Sequence, residues 1–178
     1  MTKNKYKTFW KRLLAGIIDG LVFIPIFIIE EIFSDINSKW VFIGFEFFYA
    51  ICWMLYVVVG HGKYGQTVGK KAMKIKVFDL TEKNLISYKR AFFRESIWFL
   101  ASISGVIYMI ISTQNVPVIN EDAKEKYYTI ALFTSLFWLV IELVTMLSNN
   151  KRRAVHDYIA GSVVIDLREA ERESSINQ

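Results

Sequence analysis

The sequence predicts an all-α membrane protein: a four-span transmembrane helical bundle with both termini cytosolic and a small juxtamembrane β-ribbon. Three observations predict it: four long apolar runs, an uneven distribution of Lys and Arg between the connecting segments, and two short β-branched runs. The 178 residues are 53% hydrophobic and 22% charged, a composition that excludes a disordered chain. The net charge of +5 alone would fit nucleic acid or anionic lipid, and the clustering of the apolar residues favours the membrane.

The four apolar runs are each about 17 to 21 residues long, close to the ~20 that a helix needs to cross the hydrocarbon core. The first follows a basic N-terminus, as in a signal peptide, but it is too long for the usual apolar region of one and it contains Asp19. We therefore interpret it as a retained span. The predicted spans are residues 13–33, 40–60, 96–113 and 128–147.

The basic residues predict the orientation of the spans. Of the Lys and Arg residues, 19 lie in the N-terminal tail, residues 61–95 and the C-terminal tail, against three in the two remaining loops. Basic loops stay in the cytosol, so this distribution predicts a multi-pass protein of the cell membrane with cytoplasmic N- and C-termini. The membrane domain is expected to cover residues 1–166, and residues 167–178 form a charged tail that is expected to fray.

Two short segments on the predicted cytosolic side have the pattern of β-strands. Residues 72–79 alternate apolar and polar side chains, and residues 161–166 are rich in β-branched side chains. A lone strand would leave its backbone N–H and C=O groups unpaired. The two segments are therefore predicted to pair.

Charged residues inside the apolar runs are the first candidates for function. Arg12 and Asp19 share a helical face, and Asp19 is about 9 Å inside the membrane, where an ionised carboxylate costs about 2.5–3.5 kcal/mol. Asp19 must therefore be protonated, paired or water-facing, with a partner from another segment. Glu142 is predicted at a similar depth, whereas Glu30 and Glu46 are nearer the outer surface.

These acids permit two interpretations. Carboxylates at two levels, with hydroxyl groups between them, suit a route for protons or small cations. Alternatively, the acids are neutral and hydrogen-bond between helices, which only fixes their packing. The hydroxyl groups concerned are those of Ser102, Tyr108, Thr134, Ser135 and Thr145.

Two glycine patterns have structural interpretations. Gly16 and Gly20 form a G-x-x-x-G pair around Asp19 that favours close helix packing, either within the chain or between protomers. Residues 65–70 resemble a phosphate-binding loop but lack its spacing and its Ser or Thr, which excludes nucleotide hydrolysis. They are interpreted as a turn that leads into a basic segment facing anionic lipid headgroups: Lys63, Lys70, Lys71, Lys74 and Lys76.

The sequence gives no support for an enzyme. Cys52 is the single cysteine, and the chain has no HExxH or GxSxG motif, so we expect no catalytic residue, no metal and no cofactor. His156 is either a pH sensor or a structural hydrogen-bonding residue. Asp157 is expected to make a charge-assisted contact with Arg12 or Arg94. No nucleic-acid partner is expected.

Three motifs together resemble the RDD family of integral membrane proteins. They begin at Arg12, Gly65 and His156: Arg12-Leu-Leu-Ala-Gly-Ile-Ile-Asp19, Gly65-Gln-Thr-Val-Gly-Lys70 and His156-Asp-Tyr-Ile-Ala-Gly-Ser-Val-Val164. Ser162 stands where members often have threonine. The resemblance implies that Arg12, Asp19 and Asp157 are the family's named arginine and aspartates. It also implies a bacterial-type membrane protein whose role is undefined, with transport often suggested.

The resemblance leaves two hypotheses for function. In the first, the protein transports cations or protons, with Asp19 and Glu142 as exchangeable carboxylates beside Arg12 and Asp157, and it forms a homo-oligomer because four spans make a small pore wall. In the second, it is a non-transporting scaffold or accessory subunit in which the same charges fix helix packing and join the first span to the tail.

Overall fold

The computed structural model describes residues 4–33, 38–113, 115 and 121–176. Four helical stretches of this part of the chain are long and apolar enough to cross a membrane, which confirms the four predicted spans. The helices are α1 (Phe9–Val22), α2 (Ile24–Phe33), α3 (Lys39–Val59), α4 (Val68–Ala72), α5 (Tyr88–Ser112), α6 (Glu121–Leu147), α7 (Val155–Ala160) and α8 (Leu167–Ile176). The strands are β1 (Ile75–Asp79) and β2 (Ser162–Asp166).

The first span is broken rather than continuous. Helix α1 ends at Val22, α2 begins at Ile24, and the N–H of Phe23 donates to the carbonyl of Gly20 at 3.0 Å. Pro25 explains the break, because it has no N–H and its ring crowds the carbonyl of Leu21 one turn earlier. The Glu30 side chain and residues 34–37 are outside the described part of the chain.

The third and fourth spanning helices begin earlier than their apolar runs. Helix α5 starts at Tyr88, where the side chain of Ser87 caps it by accepting from the N–H of Arg90. Helix α6 starts at Glu121. The added turns are polar, so hydropathy alone did not include them in the predicted spans.

The two predicted strands pair, as expected. Strands β1 and β2 are antiparallel, with Val77 opposite Val164. Ile75, Val77 and Val164 are completely buried, and they pack in one core cluster with Ala15 of α1 and Ala91 of α5. The ribbon is thus joined to the spanning helices by an apolar core.

Both terminal elements contact each other at the end of the bundle that carries the ribbon, which we call the ribbon end. The backbone N–H of Lys5 donates to Glu173 of α8 at 3.4 Å. The C-terminal tail forms a helix as far as Ile176 with no buried residue among those described, and its expected fraying stays a prediction.

Glu82 adds a polar contact at the ribbon end. It accepts from Lys5 Nζ at 2.7 Å, from the Tyr6 hydroxyl at 2.5 Å and from Lys151 Nζ at 2.8 Å. Burial alone would raise the pKa of Glu82, but these hydrogen bonds and the charge of Lys5 lower it to about 2. Glu82 therefore ties the N-terminal segment to the loop after α6.

Candidate functional site

A buried carboxylate on α7 organises the first polar cluster, which we call the Asp157 cluster. The Asp157 side chain is completely buried. Its Oδ2 lies 2.6 Å from Nη1 of Arg12 on α1, and its Oδ1 lies 2.9 Å from Nη1 of Arg94 on α5. Asp157 also accepts from the Ala154 N–H at 3.0 Å and from the Ser162 hydroxyl at 3.2 Å. One side chain thus joins α1, α5, α7 and β2.

The charge of Asp157 follows from these partners. Burial alone would raise its pKa, but the positive charges of Arg12 and Arg94 hold it well below its ordinary value of 3.8. The sequence predicted a contact with Arg12 or Arg94, and the structure has both. The two arginines together compensate the charge that burial would otherwise make costly.

His156 extends the Asp157 cluster to α6. Its Nδ1 lies 2.8 Å from Oε1 of Glu142, and its Nε2 lies 2.8 Å from Nη2 of Arg94. Because an arginine nitrogen is only a donor, Nε2 of His156 accepts, and the proton is on Nδ1, facing Glu142. The imidazole therefore links the carboxylate of α6 to the guanidinium of α5.

The second polar cluster, which we call the Asp19 cluster, is separate. Asp19 Oδ1 accepts from the Tyr56 hydroxyl at 2.5 Å and from the Gly69 N–H at 2.7 Å, and Oδ2 accepts from the Thr67 hydroxyl at 2.6 Å. Thr67 also caps α4. The expectation that Asp19 finds its partners in other segments is confirmed.

Close packing of α1 occurs at Gly69 rather than at the G-x-x-x-G pair. A Cβ on Gly69 would lie 2.0 Å from the carbonyl oxygen of Ala15, so only glycine fits there. A Cβ on Gly16 or Gly20 would meet nothing within 4 Å. Within the described part of this single chain, no close packing occurs at Gly16 or Gly20, and packing of this pair between protomers stays a prediction.

The predicted basic segment is not uniformly exposed. Lys63, Lys71 and Lys74 are exposed, whereas Lys76 is half-buried with its ammonium over the ring of Phe78. Lys70 is half-buried, and burial together with the charge of Arg94 lowers its pKa to about 8. Contact of this segment with anionic lipid stays a prediction.

A cleft with several polar side chains in a mostly apolar wall lies between α3, α5 and α6. It consists of two adjoining cavities of about 450 and 330 Å³, which share Tyr49, Trp98, Ser102 and Ser135 in their walls. Glu46 lines the first cavity, towards the end opposite the ribbon, and Glu95 lines the second. We call the two cavities together the central cleft.

The central cleft contains four of the five predicted hydroxyl residues, namely Ser102, Tyr108, Thr134 and Ser135. The fifth, Thr145, donates to the carbonyl of Ile141 instead. The described residues that line the cleft do not include the four predicted pathway residues. Those four are Arg12, Asp19, Glu142 and Asp157.

His61 lies next to Glu95 at the central cleft. The sequence did not predict this position for it. It is completely buried in a π-helical turn, Gly60–Tyr64, that continues α3. Its Nδ1 is 3.6 Å from Oε1 of Glu95, and neither ring nitrogen has a hydrogen-bond partner among the described residues. The one sequence feature that could have indicated a charged site here is the pair of adjacent charged residues, Arg94 and Glu95, just before the third predicted span.

A comparison with protein families matches residues 6–161 to the model of the RDD family. The chain belongs to the RDD family. No curated protein and no solved structure matches it. In this RDD protein the signature is divided: Arg12 and Asp157 contact each other, whereas Asp19, seven residues further along α1 on nearly the same face, anchors α4.

Proposed function

We propose that this RDD-family membrane protein moves protons or a small monovalent cation through the central cleft. The supporting observation is a cleft with Glu46 near one end, Glu95 near the other and hydroxyl side chains between them. Ionisable groups within a membrane are costly, and they mark ion or proton routes. The route therefore uses carboxylates other than those of the family signature.

The path follows one face of α5. Glu95, Trp98, Ser102 and Gly105 are separated by three, four and three residues, so they lie on one side of the helix. Ten residues of helix rise about 15 Å, half of the hydrocarbon core. His61 beside Glu95 supplies a second proton-binding group at the ribbon end of this face.

In this proposal the signature residues hold the path in place and carry no ion. The Asp157 cluster fixes α5 relative to α1, and the Asp19 cluster fixes the segment that follows His61. Because four spans form a small wall, the transporting unit is proposed to be a homo-oligomer.

Glu95→Gln is expected to abolish ion-coupled proton movement. The amide keeps the size of the side chain, but it cannot exchange a proton or neutralise the charge of a cation. The protein is reconstituted in liposomes that contain a pH dye, and Na⁺, K⁺ or Li⁺ is added outside. Wild type should give a cation-dependent pH change, and Glu95→Gln should lose it with unchanged thermal unfolding.

The matched control is Glu125→Gln, an exposed residue near the start of α6. It should retain the wild-type signal. Glu46→Gln tests the other end of the cleft and should reduce the signal. Full activity in Glu95→Gln and Glu46→Gln would overturn the cleft as the route.

The cytoplasmic position of the ribbon end is also a proposal, and single cysteines test it. In a chain with Cys52→Ala, Glu125→Cys and Lys71→Cys place exposed thiols at opposite ends of the bundle. A membrane-impermeant maleimide added to intact cells should label Glu125→Cys and leave Lys71→Cys unlabelled until the cells are opened. Labelling of Lys71→Cys alone would reverse the orientation.

A scaffold or accessory subunit is the second candidate, because the signature carboxylates already have several donors each. Asp19 accepts three hydrogen bonds, and Asp157 contacts two arginines. Such saturated groups fix packing and have little capacity left for an ion. A folded wild type that gives no signal with any of the three cations would favour this candidate.

A further inference from the structure

The first cavity of the central cleft, the one that contains Glu46, has six aromatic side chains in its wall. Its volume of about 450 Å³ is within the range of small-ligand sites. The rings come from four helices: Phe27 of α2, Tyr49 of α3, Trp98 and Tyr108 of α5, and Tyr127 and Tyr128 of α6. A ligand in this cavity therefore meets aromatic rings on more than one side.

The charged side chain in this wall is acidic. The described residues that line the cavity include one carboxylate, that of Glu46, and no Lys, Arg or His. The Tyr127 hydroxyl donates to Oε2 of Glu46 at 3.1 Å, which ties the carboxylate to α6. An ionised Glu46 gives the wall a negative charge, and a negative wall complements a cation.

Small side chains leave room between the rings. Ala101, Ser104 and Gly105 of α5 and Ala131 of α6 line the same cavity. A Cβ on Gly105 would lie 3.0 Å from Cε2 of Tyr127, so the glycine allows this ring to lie close to α5. The space between α5 and α6 therefore stays open although several large rings surround it.

Aromatic walls with a nearby carboxylate suit one class of cation in particular. The negative faces of aromatic rings attract cations, and cages of such rings are the usual binding sites for quaternary ammonium ions. A quaternary ammonium ion is weakly hydrated and has no N–H to donate, so it needs apolar contact and a balancing charge. The first cavity provides both.

We propose that the first cavity binds a quaternary ammonium ion, with its methyl groups against the aromatic wall and its charge balanced by Glu46. This inference rests on the proposed function, in which the cleft carries a monovalent cation, and it names an organic class of that cation. A phosphatidylcholine headgroup has the same ammonium group, but its phosphate would meet no basic side chain among the described lining residues. The ligand is therefore a soluble ion.

Equilibrium binding of radiolabelled choline to the full-length protein in mild detergent tests this proposal. Dimethylbutanol, the uncharged isostere of choline in which carbon replaces nitrogen, is the control ligand. Wild type should bind choline at least about tenfold more tightly than the isostere, because only choline is attracted by Glu46. Glu46→Gln should weaken choline binding by about tenfold or more, and Glu125→Gln should keep the wild-type affinity.

Tyr108 offers a matched pair of variants at a position that is 39% exposed. Tyr108→Phe keeps the ring and should keep the affinity for choline. Tyr108→Leu removes the ring and should weaken binding by about 2- to 30-fold with unchanged thermal unfolding. Equal affinity of wild type for choline and its isostere, or full affinity in both Glu46→Gln and Tyr108→Leu, would overturn the proposal.

Two further arms separate the possible sources of failure. Displacement of choline by short-chain phosphatidylcholine at a lower concentration than by unlabelled choline would overturn a soluble ligand. A cation-dependent pH change in a protein that binds no choline would overturn this inference alone. Choline binding with no pH change for any added cation, choline included, would support the site and overturn only the proposed ion movement.

Discussion

Gly69→Ala is expected to destabilise the protein by about 3 kcal/mol or more, because the added methyl would meet the backbone of α1. The new Cβ would lie 2.0 Å from the carbonyl oxygen of Ala15 and 3.0 Å from Cγ of Asp19. The first contact is with backbone, and the second is with a carboxylate that three hydrogen bonds hold in place, so α4 must move away. That movement also breaks the 2.7 Å hydrogen bond from the Gly69 N–H to Asp19.

Thermal unfolding in mild detergent, followed by tryptophan fluorescence, measures this effect. For a chain of this size, 3 kcal/mol corresponds to a fall in Tm of about 6–12 °C. Gly16→Ala and Gly20→Ala are the matched controls, since a Cβ at either position meets nothing within 4 Å and alanine has the higher helix propensity. A Gly69→Ala protein as stable as these controls would contradict the packing of α4 on α1.

The sequence predicted those parts of the fold that depend on local pattern. Long apolar runs marked the spans, and alternation marked β1 and β2, because both patterns repeat within a single element. Pro25 was visible, but hydropathy does not report a break at Phe23. The early starts of α5 and α6 were missed for the same reason, since their first turns are polar.

The candidate site was harder to predict because its contacts join distant segments. The contact between Asp157 and Arg12 could be inferred from charge and position. The contacts of His156 with Glu142 and Arg94 could not, because they depend on how α5, α6 and α7 pack together. Of the acids and hydroxyl residues that the sequence grouped together, Glu46 and four hydroxyl residues line the central cleft, whereas Asp19 and Glu142 do not. The local pattern gave no means to place Glu95 in the wall of this cleft or His61 beside Glu95, since burial and cavity walls are properties of the packed bundle.

Asp157→Asn is expected to destabilise the protein by about 3–5 kcal/mol, the usual result of removing one partner from a buried ion pair. Asp157 is completely buried and contacts Arg12 at 2.6 Å and Arg94 at 2.9 Å. The neutral amide would remove the counter-charge that both guanidinium groups share, and Arg94 alone would keep a second carboxylate nearby, that of Glu95 at 3.5 Å. Asp122→Asn, at an exposed position on α6, is the matched control and should change the free energy of unfolding by less than about 0.5 kcal/mol.

The same carboxylate predicts how stability depends on pH. The pKa of Asp157 is lowered in the folded protein, so its contribution is fully present above the unfolded value of 3.8 and is lost as the pH falls toward the folded value. The wild-type Tm should therefore fall between about pH 5 and pH 3, because the unfolded chain takes up the proton first. The Tm of Asp157→Asn should be lower at pH 5 and should fall less between pH 5 and pH 3. Glu82, with its pKa of about 2, contributes equally to the pH dependence of both proteins. Parallel curves for the two proteins would show that Asp157 is not the buried, ion-paired carboxylate on which the junction of α1, α5 and α7 depends.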